Sequence, residues 1–286
     1  MGLFSQKAAK SNIVFVPQGL KFPLSYKIRQ TNEFVFNNIQ INYTETEFFW
    51  NIDFFKPINS GYNIQLSMGE YKITKYNEQY RRFIEFMSLF NVPISKLNLE
   101  LDENGVPIKV INQLDILQKW INLRDGEMAK LKNDITIQPI LKGGDKDYSN
   151  SIDLINTSVL YLLFLPPVYG DRKISPLREM TLSSSLYHSK KINFAIKETL
   201  LGMSNYEIRF LHEANGYSNS DFQNIYKNTY KKMMGNVNFS YKCHYNAHYR
   251  YGINNGILKQ VIAELNEETA KGLYSKQTFN IKLEGE

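Results

Sequence analysis

The stretch 239–251 holds the only cysteine of the chain, Cys243, beside two of its four histidines, His244 and His248. A thiolate and two imidazoles are zinc-ligand chemistry, and His-x-x-x-His on a helix would put both rings on one face. Alternation argues for a strand instead. Phe239, Tyr241, Cys243, Tyr245, Ala247, Tyr249 and Tyr251 occupy odd positions, while Ser240, Lys242, His244, Asn246, His248 and Arg250 occupy even ones. On a strand, residues four apart are separated by about 13 Å at roughly 3.3 Å per residue. One ion cannot bridge that distance, and Cys243 faces the other side. The pattern therefore predicts no metal and no cofactor. It predicts two faces: a polar strip of Lys242, His244, His248 and Arg250 suited to an acidic partner, and a row of Tyr241, Tyr245 and Tyr249 able to wall an apolar ligand.

Other chemical signatures fail on a single residue each. Gly143-Gly-Asp-Lys146 is followed by Asp147, where a phosphate-binding loop needs Ser or Thr. Read as a calcium loop, the same segment has Asn150 at the glycine position and Asn156 in place of the bidentate glutamate. Gly216-Tyr-Ser218 lacks the second glycine of a nucleophile elbow. His188 or His212 could meet a serine at 183–185, but spacing does not assign such a pair, and His212-Glu213 reads as a surface strand end. An enzyme is not expected.

Basic residues interleave with aromatic ones at 76–83 and 226–232, a mixture that binds phosphates and stacks bases. The net charge of +6 permits an acidic or nucleic-acid partner without demanding one. Both stretches also fit amphipathic helices, so nucleic-acid binding ranks third. A single cysteine excludes an internal disulfide and fits a reducing compartment. The longest apolar run, 159–165, is far short of the roughly 20 residues of a membrane span, and no signal-peptide core follows Met1. The expected location is cytoplasmic.

The elements that would position these residues follow from periodicity. Strand signals dominate 13–74, then Tyr80, Phe83, Ile84, Met87 and Phe90 recur at helical spacing. Leu97, Leu99 and Leu101 alternate into a turn at 102–105 with a return at 108–111. Asn112 is a candidate N-cap for a helix carrying Leu114, Leu117, Trp120 and Ile121. Residues 142–147 read as a linker, and 151–165 as a short buried helix. Strands are expected at 186–200 and 206–211, a helix with a capping box at 218–221 and a glycine stop at Gly235, then a meander of 239–253, 257–265 and 273–283.

Grouped strands and helices predict an α+β fold, predominantly antiparallel β-sheet with a C-terminal meander and several amphipathic helices packed on it. The expected organisation is a tail over 1–12, a β-rich lobe over 13–142 and an α+β lobe over 143–286. The absence of catalytic motifs and the 19 tyrosines, a residue enriched at interfaces, favour a protein-interaction or structural module whose partner is another protein. The alternative is a carrier of an apolar small molecule or lipid in an aromatic-lined sheet cavity.

Overall fold

In the computed structural model the described residues are 13–15, 21–131, 133–166, 170–172, 178–187, 190–217, 220–235 and 237–285. The expected tail over 1–12 and His188 lie outside them.

Two short strands, β1 (Ile13–Phe15) and β7 (Gly170–Arg172), pair with each other. The first meander runs through β2 (Leu24–Phe36), β3 (Ile39–Ile58), β4 (Gly61–Tyr76), β5 (Lys96–Leu101) and β6 (Pro107–Val110). The second runs through β8 (Arg178–Ser183), β9 (Lys191–Met203), β10 (Glu207–Tyr217), β11 (Lys242–Gly252), β12 (Leu258–Ala270) and β13 (Leu273–Leu283). Every strand pairs antiparallel to its neighbour. The final strand closes on the first long one, with Leu283 opposite Tyr26 and Leu273 opposite Phe36. The result is a single eleven-stranded sheet, β6-β5-β4-β3-β2-β13-β12-β11-β10-β9-β8.

Turn chemistry fixes the register. Asn37 and Asn38 adopt φ of 53° and 62°, the left-handed pair a two-residue hairpin needs, and asparagine tolerates it. Bulges at Glu45/Thr46, Phe48/Trp50 and Ile52/Phe54 bend the twenty residues of β3.

Helices cover one face of the sheet. They are α1 (Arg81–Ser88), α2 (Gln113–Asp125), α3 (Gln138–Ser149), α4 (Ser151–Thr157), α5 (Val159–Phe164), α6 (Ser220–Ile225) and α7 (Lys231–Met234), the last two joined through a π turn at Tyr226–Tyr230. In α5, Tyr161 and Phe164 bury their rings against Trp50 of β3, with centroids 4.8 and 5.4 Å away. Among the described residues no helix is long and apolar enough to cross a membrane.

The α+β, mostly antiparallel architecture is the one the grouping of elements predicts. The meander over 273–283 matches β13 residue for residue. Three local expectations need correction. Residues 142–147 are not a linker but lie inside α3. Asp145 accepts hydrogen bonds from Trp120 Nε1 at 2.8 Å and Arg124 at 2.6 Å, and Gly144 leaves room for the Trp120 ring, so helix packing holds the segment. Asn112 does not cap α2 with its side chain. Its Oδ1 accepts from the Asn98 amide and its Nδ2 donates to the Lys96 carbonyl, tying the helix start to β5. Residues 151–165 form two short helices broken at Ser158. Strands from both sides of residue 143 share the sheet through the β2–β13 pairing.

Candidate functional site

Strand β11 splits the residues singled out in the sequence between opposite faces. Lys242, His244, His248 and Arg250 are exposed on the outer face, while Tyr245 and Tyr249 are buried on the inner one. Cys243 is buried with the tyrosines, so it cannot join His244 or His248 around an ion. The strip is not a row of bare charges. Arg250 donates twice to Glu207 Oε2, at 2.6 and 3.0 Å, and once to Gln260. His244 Nδ1 lies 3.3 Å from Asn215 Oδ1.

The inner face of β8–β11, the end of α5 and the β5–β6 turn border an open cavity of about 540 Å³. Val106, Leu162, Leu165, Met180 and Ile196 make its apolar wall, and Arg178, Glu198, His212, Tyr245 and Tyr249 gather at its polar end. Tyr241 stands apart, its hydroxyl donating to Glu267 Oε1 at 3.2 Å. Two of the three tyrosines expected to line a pocket therefore meet in one.

Sheet register builds the polar end. Glu198 of β9 sits directly opposite His212 of β10, on the inner phase of both strands. Glu198 Oε2 lies 2.7 Å from His212 Nε2, and both side chains are less than 5% exposed. Arg178 Nη2 approaches the same carboxylate oxygen at 3.8 Å. The His212 ring lies 4.6 Å from that of Tyr249, whose hydroxyl is 3.2 Å from that of Tyr245. Burial pushes the Tyr245 hydroxyl up to about 12 and Tyr249 well above the usual phenol range, and the charge of Arg178 pulls both slightly back. Both phenols stay protonated at neutral pH and can donate.

The reading of His212 as surface is overturned: it lies in the middle of β10 and is 2% exposed. Nor does it meet the serines. Ser184 Oγ donates to Glu267 at 2.6 Å, and Ser183 Oγ donates to Thr157. Glu198 escaped the sequence reading altogether. A signal for Glu198 was present, because Ile192, Phe194, Ile196 and Glu198 share one phase of an alternating strand. A carboxylate on the apolar phase is a buried polar group in need of a partner.

No protein-family model and no curated protein sequence matches the chain. A solved structure titled "Lipid-protein interactions in lipovitellin" aligns with 92% of this chain at 9% identity and a TM-score of 0.47. The aligned region is 25% of that chain, so this protein spans about a quarter of its length.

Proposed function

We propose that the chain is a carrier that shelters an apolar ligand bearing one polar head in the cavity walled by Leu162, Met180 and Ile196. The observation that supports this reading is the pairing of an apolar wall with a desolvated polar cluster at one end. Small-molecule pockets are concave and mostly apolar, a few hundred cubic ångströms in volume, with few polar groups that fix orientation. Glu198, His212 and the two tyrosines are such groups, and Arg178 adds a positive charge for a polar or acidic head. Their mutual hydrogen bonds hold the cluster ready before a ligand arrives, which lowers the ordering cost of binding.

Native mass spectrometry of freshly purified protein, repeated after denaturation, tests the reading. The expected result is a stoichiometric excess mass that denaturation releases and that Met180→Trp, which fills the wall, reduces. A bare mass from fresh extract, or an excess that the tryptophan leaves unchanged, would overturn it.

A second reading, a protein-interaction module, is favoured by the β9–β10 hairpin. Leu201, Met203 and Tyr206 there are 47%, 56% and 76% exposed, a cluster of apolar side chains that water alone does not explain. A photo-crosslinker at position 203 should then give one stoichiometric adduct in native extract, abolished by Leu201→Asp. A spread of weak adducts counts against it.

A further inference from the structure

The β2–β3 and β12–β13 turns meet at one end of the sheet, where the Asn38 amide donates to the Gly272 carbonyl at 3.1 Å. Helix α7 and the π turn before it pack beside them. Tyr226 and Met234 are buried with Ala270 and Leu273, and the Tyr230 ring lies 6.5 Å from that of Phe36. Lys227, Lys231 and Lys232 of the helical segment and Lys271 of the turn remain exposed. Segments 37–40, 226–235 and 270–273 contain no Asp or Glu. The nearest carboxylates along the strands stand opposite other lysines, Glu33 facing Lys276 and Glu268 facing Lys242 in register. Among the described residues none of the four lysines forms an ion pair.

Two large apolar side chains stand out among these cations. Ile39 is 63% exposed and Met233 57%, one from each of the elements that meet here. The small core at this end is filled from the other side of the helix by Tyr226 and Met234, so folding does not use Met233. Lysines alone would make a solvated face. Cations with protruding apolar side chains are what an anionic membrane interface attracts, because the charges meet the headgroups and the apolar groups enter the acyl boundary.

A nucleic acid would meet the same lysines, but single strands are held by rings stacked on their bases. The rings of this segment are withheld. Tyr226 is 1% exposed and donates to the Val237 carbonyl at 2.8 Å, and Tyr230 donates to the Leu186 carbonyl at 2.8 Å. Ile39 and Met233 would gain nothing against phosphates. We infer that this end of the sheet docks on an anionic lipid surface, with Lys227, Lys231, Lys232 and Lys271 over the headgroups and Ile39 and Met233 inserted between them. The surface shares no residue with the cavity at Arg178 and does not depend on that cavity being filled.

Co-sedimentation of the full chain with vesicles tests this. Vesicles of phosphatidylcholine and phosphatidylserine in equal parts should bind at least tenfold more tightly than phosphatidylcholine alone, and added salt should weaken the binding. Each basic side chain near such a surface contributes about fivefold in affinity, so Lys231→Ala/Lys232→Ala should weaken it more than tenfold. Ile39→Thr/Met233→Gln keeps every charge and should weaken it at least fivefold, whereas charge attraction alone would leave it unchanged. Lys142→Ala/Lys146→Ala removes the same charge from α3 and should change it less than threefold. All six positions are exposed, so the variants should keep the fold, which thermal unfolding verifies. Equal binding to both vesicles, insensitivity to either docking variant, or an equal loss in the α3 variant would each overturn the inference. An oligonucleotide that outcompetes the vesicles would overturn it in favour of a nucleic acid.

Discussion

Glu198 Oε2 and His212 Nε2 stand 2.7 Å apart across two neighbouring strands, each side chain less than 5% exposed. Removing one partner of a buried hydrogen-bonded pair leaves a polar group without that bond, whereas replacing both with apolar groups is often nearly neutral. His212→Leu should therefore cost about 3–5 kcal/mol of stability, and the double variant Glu198→Leu/His212→Leu less than that. Denaturant unfolding of wild type, His212→Leu, Glu198→Leu and the double variant measures it. A double variant that costs the sum of the two singles would mean that the pair is not coupled.

Glu267 is a different kind of buried carboxylate, 1% exposed and used to clamp a turn. It accepts from Ser184 Oγ at 2.6 Å, the Ser185 amide at 2.8 Å, the Leu186 amide at 3.3 Å and the Tyr241 hydroxyl at 3.2 Å. Burial still outweighs these bonds and holds its pKa above the ordinary value of 4.5. The folded state thus binds this proton more tightly than the unfolded one. The contribution is fully present below pH 4.5 and is lost as pH rises through the folded pKa. Glutamine does not titrate, so the stability of wild type relative to Glu267→Gln should fall as pH rises above 4.5. A difference that grows with pH would refute the assignment.

Cys243 shares that environment. Burial first, and the charge of Glu267 second, push its thiol up to about 12. Only the thiolate is alkylated. At pH 8 iodoacetamide should label the native protein slower than the unfolded chain by on the order of a thousandfold. Labelling kinetics followed by intact mass check this. Rapid labelling of folded protein would show an open path to the inner face of β11.

Gly143 and Gly144 are adjacent on α3 and predict opposite outcomes. A Cβ at Gly144 would lie 2.5 Å from Trp120 Cη2 and 3.1 Å from Phe90 Cε1. Gly144→Ala should cost about 1–3 kcal/mol through overpacking. Gly143→Ala relieves a helical glycine and should gain up to about 1 kcal/mol. Thermal unfolding of the two variants separates them, and equal shifts would argue against the close approach of α2 and α3.

Much of the architecture was legible because strand and helix periods are local properties. The odd–even alternation of 239–251 was enough to separate Cys243 from His244 and to put Tyr245 and Tyr249 on one face. Gly235 marked the end of its helix for the same reason: its φ is 67°, which glycine adopts freely. Helix α3 was not legible. Gly143, Gly144 and two aspartates weaken local helix propensity, and only Trp120 and Arg124, about twenty residues away, hold Asp145 in place.

The sequence by itself determined which residues of each strand face inward, since side-chain direction follows from the two-residue repeat. It even carried Glu198 and His212 on the inward phase of their strands. What it could not supply was register between strands, which sets Glu198 opposite His212, and the closure of β13 on β2, which joins residues more than two hundred positions apart. Those pairings depend on hydrogen bonds and side-chain contacts between distant segments, and they alone decide which buried polar groups meet.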